Sequence, residues 1–318
     1  MEHNPRYIIH KNLKNLLPGE LRKEYEENES KMNSIGWKKT GVLGAGSYGT
    51  VYIATVVDMQ TRYKRVLKII AVKTSSKPTL AFSLKKEEQI LQSFSGCQEI
   101  VQCFGSEITV EGGIPLYNLF LEYASYGSLA DLIHKKPLPE SEVRIYTRMI
   151  VKGLSRIHRE GIAHCDLKPD NILLFRPSLE QKSVKFQLKI ADFGLSKTKD
   201  EVTDIEFWKS RPRGTLSYLS PEAFSGYIDA PMDIWALGCT VLEMLTGLPA
   251  WGVRFTPNYK NLKFLVGSLK NSPKPPNGLS LVCFDFLGKC FEKDPSKRWT
   301  ADMLLHHHPF ISTLISLY

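Results

Sequence analysis

The chain of 318 residues has no long apolar run. No uninterrupted stretch approaches the roughly 20 apolar residues that a helix needs to cross a bilayer. Residues 1–5 lead into polar and charged sequence, whereas a secretory signal would continue into a short apolar run. We therefore expect neither a membrane span nor secretion. The expected location is the cytoplasm, and the nucleus is a second candidate.

Cysteine is also scarce, with six residues and no Cys-x-x-Cys pair. Several of the six lie inside apolar segments, so reduced, buried thiols are expected, and disulfides or a zinc site are not. The three histidines at 306–308 do not indicate a metal site either. Consecutive side chains on a helix point about 100° apart, so these rings would not converge on one ion.

The formal net charge is +9, but the basic residues are not gathered in one arm. Residues 1–35 hold six basic and six acidic side chains, so the excess lies in the body of the chain, in short clusters such as 62–65 and 85–86. No nucleic-acid recognition module is visible, and no specific nucleic-acid partner is expected. A solvated basic surface is the favoured interpretation, and attraction for acidic substrates or anionic surfaces is the alternative.

Apolar patterning divides the chain into a strand-rich first part and a helix-rich second part. β-Prone segments broken by turn residues predict strands at 37–43, 50–57, 66–73, 99–104 and 116–121. Helical spacing of apolar residues predicts helices at 79–94, 128–135, 140–160, 231–246, 279–291 and 300–306. The fold class expected from this division is α+β.

The most informative segment is 164–171, His-Cys-Asp-Leu-Lys-Pro-Asp-Asn, followed by an Asp-Phe-Gly turn that begins at Asp192. Asp166 can accept a proton from an attacking hydroxyl, and Lys168 can offset negative charge on a transferring phosphoryl group. Asn171 and Asp192 offer the hard oxygen ligands that Mg²⁺ prefers. This set of residues predicts phosphoryl transfer from a nucleotide.

A second group of residues lies in the strand-rich part, in the Gly-x-Gly-x-x-Gly sequence at 44–49. Glycines in this spacing can open a dinucleotide-binding helix, form a tight turn, or let backbone N–H groups approach phosphates. The β-prone segment 50–55 follows directly, which favours a glycine-rich hairpin over a strand-to-helix turn. The loop residues predicted to bind nucleotide are Leu43, Gly44, Ala45, Gly46, Ser47 and Gly49.

Lys73 ends an apolar strand, where an ammonium is unusual unless it has a partner. Glu87 in the following helical segment is the favoured partner because of its spacing from Ile90 and Leu91, and Glu88 is the rival. Taken alone, Lys73 and Glu87 would be ordinary surface charges. The two motifs described above make a functional pair the better interpretation.

Together these motifs resemble those of the protein kinase family, over about residues 36–312. The resemblance implies an α+β, bilobal kinase fold with a small β-rich lobe and a larger helical lobe. It also implies ATP and Mg²⁺ as cofactors. In that family the lysine at Lys73, paired with Glu87, contacts the α- and β-phosphates of ATP.

The segment Leu-Phe-Leu-Glu-Tyr-Ala around Leu121 resembles the kinase strand and hinge where adenine docks. By that match Leu121 guards the back of the adenine pocket, and it would belong to the core as well. Glu122 and Ala124 would supply main-chain contacts to the base. Val51 and Ala71 would cover the adenine face.

The segment 214–222 resembles the substrate-positioning loop of serine/threonine kinases, ending in Ser-Pro-Glu where Ala-Pro-Glu is common. In that family Thr215 and Lys168 mark substrates that carry Ser or Thr hydroxyls. Asp233 matches the residue that holds the backbone of the catalytic loop. Arg298 matches the arginine that forms a structural pair with the final Glu of the substrate-positioning loop.

The resemblance also implies a domain organisation. Residues 1–35 would form an N-terminal extension of unknown role, 36–312 the kinase domain and 313–318 a short tail. Within the kinase domain, the small lobe would span 36–121, the hinge 122–127 and the large lobe 128–312.

The finer resemblance is to plant MEKK-type kinases, the mitogen-activated protein kinase kinase kinases, whose protein substrate is a downstream MAP kinase kinase. The glycine-rich loop, the catalytic loop and the substrate-positioning loop carry it. The alternatives are another plant Ser/Thr kinase or kinase kinase outside that tier, and a pseudokinase scaffold that binds ATP and partners. The scaffold is disfavoured because Lys73, Asp166, Asn171 and Asp192 are all intact.

One position departs from the family pattern, since Cys165 stands where most such kinases carry Arg. That arginine pairs with a phosphorylated activation segment, and a neutral thiol cannot form such a pair. We therefore expect activation that does not depend on a phosphate–arginine clamp. Acidic residues within 200–206 are expected to order the segment through other bases, such as Lys197 or Arg211.

Overall fold

The computed structural model describes residues 8–9, 35–46, 49–59, 65–75, 77, 81–178, 184–202, 212–251, 266 and 272–312. The chain divides into two compact units. The first comprises Met1–Cys97 and Val101–Ala124, and the second comprises Gln98–Ile100 and Ser125–Tyr318. The described part of the first unit is mainly strand and that of the second mainly helix, which confirms the α+β class.

The first unit contains an antiparallel sheet of six strands in the order β1-β2-β3-β4-β6-β5. The strands are β1 (Ile8–Ile9), β2 (Ile35–Gly46), β3 (Gly49–Asp58), β4 (Val66–Thr74), β5 (Cys103–Glu111) and β6 (Ile114–Glu122). Helix α1 spans Ala81–Ser93 and packs against β5 and β6. Strand β1 lies in the N-terminal extension, where no element was predicted, and pairs Ile8 with Trp37 of β2.

One face of this sheet carries an apolar core. Trp37 and Phe120 meet edge to face there, with ring centroids 5.1 Å apart. The other buried members of this core are Ile35, Ala54, Val56, Leu67, Ile70 and Val72. Because successive residues of a strand point to opposite faces, burying this set fixes the register and turns the intervening residues to the other side.

The second face of the sheet collects the residues that were singled out in the sequence. The strand pairing places Val51, Lys73 and Leu119 side by side across β3, β4 and β6. Two residues back along β4, Ala71 lies opposite Leu121. The register of the sheet alone therefore groups the predicted lysine with the predicted adenine-covering side chains.

The second unit is mainly helical. Its described elements are α2 (Leu129–Ile133), α3 (Glu140–Arg159), β7 (Ile172–Phe175), β8 (Gln187–Ile190), α4 (Pro231–Thr246), α5 (Leu281–Cys290), α6 (Ala301–His307) and α7 (Pro309–Ser312). Helix α4 is buried at every position from Met232 to Met244, as expected of an apolar helix at the centre of a helical unit. It begins at Pro231, which is well tolerated in a first turn, and ends before Gly247, whose φ of 68° suits glycine.

Helix α3 is amphipathic. Its buried residues include Val143, Tyr146, Ile150, Leu154 and Ile157, at intervals of three and four that place them on one stripe. This helix packs against α4, α6 and the β8 strand, so its buried stripe joins the main elements of the second unit.

Most predicted elements lie within a few residues of the observed ones, but the strand at 99–104 was wrong. The buried Ile100 instead makes an isolated parallel bridge to Ile190 in the second unit. The observed strand runs from Cys103 to Glu111, and Ile108 within it is 65% exposed, so its apolar pattern did not mark a buried strand. None of the described helices is long and apolar enough to span a membrane.

Candidate active site

Asp166 lies at the centre of a hydrogen-bonded cluster in the second unit. Its Oδ2 accepts from the Lys168 ammonium at 2.9 Å and from the Asn171 amide nitrogen at 3.0 Å. Its Oδ1 accepts from the backbone N–H and the hydroxyl of Thr215, at 2.8 and 2.7 Å. All of these bonds are donated to Asp166, which accepts through both of its oxygens.

Lys168 also donates to the Thr215 hydroxyl, at 2.7 Å. A hydroxyl oxygen thus lies where it accepts from an ammonium and donates to a carboxylate. The same surroundings suit the activation of a substrate hydroxyl, because the carboxylate can take its proton while the cation offsets developing negative charge. The structure therefore brings the predicted residues Asp166, Lys168 and Thr215 together in an arrangement suited to proton abstraction.

The backbone of the catalytic loop is held by helix α4. Asp233, in the first turn of that helix, is 1% exposed. Its two oxygens accept the N–H groups of His164 at 2.7 Å and Cys165 at 2.9 Å. His158 of α3 contacts the same carboxylate at 2.9 Å. The position of the loop is therefore fixed by a helix that is buried along most of its length.

Cys165 itself has φ 68°, a left-handed conformation that residues with a Cβ rarely adopt. Its carbonyl oxygen lies 2.3 Å from the point where a Cβ on Gly214 would be, so only glycine fits beside it. Burial raises the pKa of the Cys165 thiol far above its ordinary range, and the nearby Asp233 carboxylate adds to the effect. The thiol is therefore neutral, as expected from the sequence.

The predicted metal ligands lie at one end of the β7–β8 hairpin. The last pair of that ladder is Ile172 opposite Ile190, and the Ala191 N–H continues it by donating to the Asn171 carbonyl at 2.9 Å. Asn171 and Asp192 therefore leave the hairpin on neighbouring strands at the same end. Asp192 has φ 64°, which the sequence gave no sign of.

The donor atoms at this end suit a hard cation. Asn171 directs its amide nitrogen at Asp166, which leaves the lone pairs of its amide oxygen directed elsewhere. Asp192 accepts the Gly194 N–H at 3.3 Å through one carboxylate oxygen. Among the described residues no three His, Cys, Asp or Glu side chains form a metal cage. An amide oxygen and a carboxylate suit Mg²⁺, which keeps several waters and takes one or two protein carboxylates plus substrate phosphates.

The segment after Asp192 is held by an internal ion pair. Arg213, 4% exposed, donates to both carboxylate oxygens of Glu201. The same guanidinium donates to the carbonyls of Leu195 and Ser196, each at 2.6 Å. A planar guanidinium supplies donors in a fixed fork, so one side chain fixes both ends of this segment at once.

This arrangement bears on the prediction made for Cys165. An acidic residue within 200–206, Glu201, does pair with a base other than residue 165, and that base is Arg213, which the prediction did not name. Arg211, the other predicted base, lies outside the described residues. Arg213 was visible in the sequence only as the residue that precedes the substrate-positioning loop, and nothing in the spacing identified Glu201 as its partner.

In the first unit, Lys73 donates to Glu87 Oε2 at 2.7 Å. Lys73 is 6% and Glu87 0% exposed, so the pair is buried. Glu88, the rival, instead accepts from Ser106 at 2.9 Å and from the Tyr117 hydroxyl. The spacing from the following apolar residues therefore identified the correct glutamate.

The glycine-rich segment joins β2 and β3 as a hairpin, not as a strand-to-helix turn. Gly49 has φ 153°, and a Cβ there would lie 2.1 Å from the Thr74 carbonyl oxygen, so this position requires glycine. Among the described residues, none lies within 4 Å of a Cβ added at Gly44 or Gly46, and Leu43 and Ala45 are exposed, so these positions leave room for a ligand. Ser47, also predicted to bind nucleotide, lies outside the described residues.

The predicted adenine contacts also lie on this unit. Val51, Ala71 and Leu121 share the second face of the sheet, as the strand register shows. The N–H of Glu122 donates to the Gln102 carbonyl at 2.9 Å. Of the two predicted main-chain contacts, a backbone donor for a bound base would therefore come from Ala124 and not from Glu122.

The predicted structural pair is also present in the second unit. Arg298 donates to Glu222 through two nitrogens, at 2.5 and 3.0 Å. The arginine side chain is fully buried, and its guanidinium carbon lies 5.3 Å from the centre of the Trp235 ring. This bidentate pair confirms the partner assigned from the sequence.

Comparison with known proteins gives these residues a family. A model of the protein kinase domain matches residues 37–311. The chain belongs to the protein kinase family. This kinase therefore has the two-lobed fold that the motifs implied, in a family that uses ATP and typically Mg²⁺.

Relatives of this kinase narrow the assignment. Mitogen-activated protein kinase kinase kinase 20 of Arabidopsis thaliana is 41% identical over 275 residues, which cover 85% of this chain and 77% of that protein. Mitogen-activated protein kinase kinase kinase 17 of the same plant is 38% identical, over 87% of this chain and 70% of that protein. Mitogen-activated protein kinase kinase kinase 15 of Mus musculus is 36% identical, over 83% of this chain and 19% of that protein. The chain is accordingly a serine/threonine kinase of MEKK type.

Proposed function

We propose that this kinase transfers the γ-phosphoryl group of ATP to Ser or Thr hydroxyls of a MAP kinase kinase. The observation that carries the proposal is the cluster in which Asp166 and Lys168 hold the Thr215 hydroxyl between them. The names of the relatives, all kinases of a kinase kinase, support the substrate class.

The residues of the second unit divide the chemistry. Asp166 would accept the proton of the substrate hydroxyl, and Lys168 would offset the negative charge of the phosphoryl group in transfer. Thr215 fixes the carboxylate through its backbone and its hydroxyl, which restricts Asp166 to one orientation. Mg²⁺ held by Asn171 and Asp192 would supply charge neutralisation at the phosphate oxygens.

The residues of the first unit would bind the nucleotide. Lys73 would bind phosphate oxygens, and its pairing with Glu87 keeps the ammonium in one place beforehand. The open backbone at Gly44 and Gly46 would let phosphates approach the N–H groups closely. Because this binding set and the catalytic cluster are both complete, a scaffold without turnover is the weaker alternative.

Substitution of Asp166 by Asn tests the mechanism. The amide keeps the shape of the side chain but cannot accept the proton, so we expect phosphate transfer to fall by about 10²–10⁴-fold. Glu160→Gln is the matched control, because it removes an exposed carboxylate at the end of α3. Transfer by Asp166→Asn at the parent rate would show that another group is the base.

A substrate panel tests the proposed tier of the cascade. Radiolabelled ATP would be supplied with several MAP kinase kinases and with generic Ser/Thr substrates, beside a Lys73→Met variant that cannot position the phosphates. We expect label on at least one kinase kinase, at Ser or Thr, and none with Lys73→Met. Label confined to the generic substrates would keep the kinase assignment and remove the MAP kinase kinase as its substrate.

A further inference from the structure

Two consecutive glutamates of helix α1 take different partners in the first unit. Glu87 binds Lys73 on β4 at 2.7 Å. Glu88 accepts, through one oxygen, from Ser106 on β5 at 2.9 Å and from the hydroxyl of Tyr117 on β6. The proposed function uses Glu87 and leaves the second carboxylate without a role.

The two contacts together fix the rotation of the helix. Consecutive residues of an α-helix point about 100° apart, so Glu87 and Glu88 hold α1 at two points of its circumference. The partners lie on three neighbouring strands of one sheet. A rotation that released Glu88 from its two hydroxyls would also turn Glu87 away from Lys73.

Apolar side chains also hold this helix against the sheet. Its buried residues, apart from Glu87, are Leu84, Ile90 and Leu91. These side chains share one stripe with Glu87 and turn that stripe toward the sheet, but apolar packing is less directional than hydrogen bonding and sets the rotation less narrowly. Hydrogen bonds to a carboxylate are directional, and Glu88 receives two of them from the neighbouring strands.

The tyrosine is suited to be a permanent donor. Burial raises the pKa of Tyr117 to about 12, and the hydrogen bond to Glu88 contributes in the same direction. The phenol therefore keeps its proton throughout the neutral range and continues to donate it to the carboxylate. Gln92, one turn further along α1, donates to the other oxygen of Glu88 at 3.2 Å, which limits the rotation of the carboxylate.

We propose that Glu88 is a positioning residue for phosphoryl transfer, which Ser106 and Tyr117 hold so that Glu87 faces Lys73. The effect on rate rests on the proposed function, whereas the effect on the orientation of α1 does not depend on it.

A double-mutant cycle tests the effect on rate. Glu88→Gln weakens both hydrogen bonds, and we expect kcat/KM for ATP to fall on the order of 10-fold, as for loss of a hydrogen bond to a charged group. In a Glu87→Gln background the same substitution should cause almost no further loss, because a positioning residue acts through Glu87. Losses that multiply, or a Glu88→Gln variant at the parent rate, would overturn the proposal.

Smaller substitutions distinguish the effect of the two hydroxyl hydrogen bonds from an effect on the stability of the sheet. Tyr117→Phe and Ser106→Ala each remove one donor and should lower the rate in the same direction, by less than Glu88→Gln. Ser106→Thr keeps the hydroxyl on a residue that strands favour and should retain the parent rate. Lys85→Gln is the helix control, because it removes an exposed charge on α1.

A second measurement does not require kinase activity. Acylation of Lys73 by an amine-reactive reagent, followed by mass spectrometry, reports whether the ammonium is paired with Glu87. We expect faster labelling of Lys73 in Glu88→Gln than in the parent, and unchanged labelling in Lys85→Gln. If the parent transfers no phosphate but this difference appears, the proposed function fails and the positioning role stands. Equal labelling in all three proteins would remove the positioning role.

Discussion

Two arginine–glutamate pairs of the second unit, each with a buried arginine, have the same chemistry but differ in the length of chain between the partners. Arg298 binds Glu222 across 76 residues of chain, whereas Arg213 binds Glu201 across 12. Each arginine is 4% exposed and also donates to two backbone carbonyls. The long-range pair connects distant parts of the unit, and the short-range pair closes one loop. The same type of interaction therefore stabilises the fold in one place and orders a segment beside the catalytic residues in another.

The carboxylates of the two pairs also differ in their access to water. The side chain of Glu222 is 13% exposed and that of Glu201 is 28% exposed. Loss of the arginine would therefore leave Glu222 desolvated, while Glu201 could recover hydration more easily. The long-range pair should matter more for stability, and the short-range pair more for the geometry of the segment between Asp192 and Gly214.

Breaking the long-range pair should give the largest effect on stability. Arg298→Met removes the charge and the bidentate bonds but keeps much of the side-chain volume. We expect the free energy of unfolding to fall by about 3–5 kcal/mol, because Glu222 would stay buried without its partner. Urea unfolding followed by tryptophan fluorescence measures this loss.

Arg298→Lys is the informative control for that prediction. It keeps the charge but loses the fork that contacts both oxygens of Glu222, so its stability should lie between the parent and Arg298→Met. A stability of Arg298→Met equal to that of the parent would show that Glu222 finds other hydration or partners.

The sequence predicted the long-range pair but not the short-range pair, for a physical reason. Glu222 and Arg298 each end or lie in a segment with a recognisable pattern, so their pairing could be assigned before the structure. Glu201 lies among several acidic residues with no distinguishing spacing. Which of them meets Arg213 depends on the path of the loop, and a local pattern does not encode that path.

The same division applies to the fold and the rest of the site. Helix α3 was predicted almost to the residue because its apolar stripe repeats at helical intervals. Strand β5 was misplaced because it leads into an exposed hairpin, where burial does not impose alternation. The positive φ angles of Cys165 and Asp192 had no sequence signal, since neither is glycine. The partners of Glu88 depend on tertiary contacts with two strands, so spacing alone could only rank Glu87 above it.

Breaking the short-range pair should affect the rate of phosphate transfer more than the stability of the fold. Arg213→Met removes a guanidinium that holds Glu201 and two carbonyls, so we expect phosphate transfer to fall on the order of 10-fold. The loss of unfolding free energy should be smaller than for Arg298→Met, and the same urea titrations compare the two variants. Lys199→Met is the matched control, as it removes an exposed cation from the same segment. A stability loss as large as that of Arg298→Met, with unchanged rate, would show that both pairs serve the fold alone.

The smallest expected effect tests whether the Glu201 carboxylate takes the place of a phosphate on the segment after Asp192. In kinases with arginine at the position of Cys165, that arginine binds a phosphate on the activation segment and orders it. Here the thiol is buried and neutral, and Arg213 already has a carboxylate partner. We therefore expect that phosphatase treatment leaves the rate of phosphate transfer unchanged, while Glu201→Gln lowers it. Mass spectrometry should first verify that the segment carries no phosphate after treatment, and a kinase with arginine at that position should lose activity in parallel. Silencing of this kinase by removal of a single phosphate from that segment would show that the Arg213–Glu201 pair does not replace the phosphate.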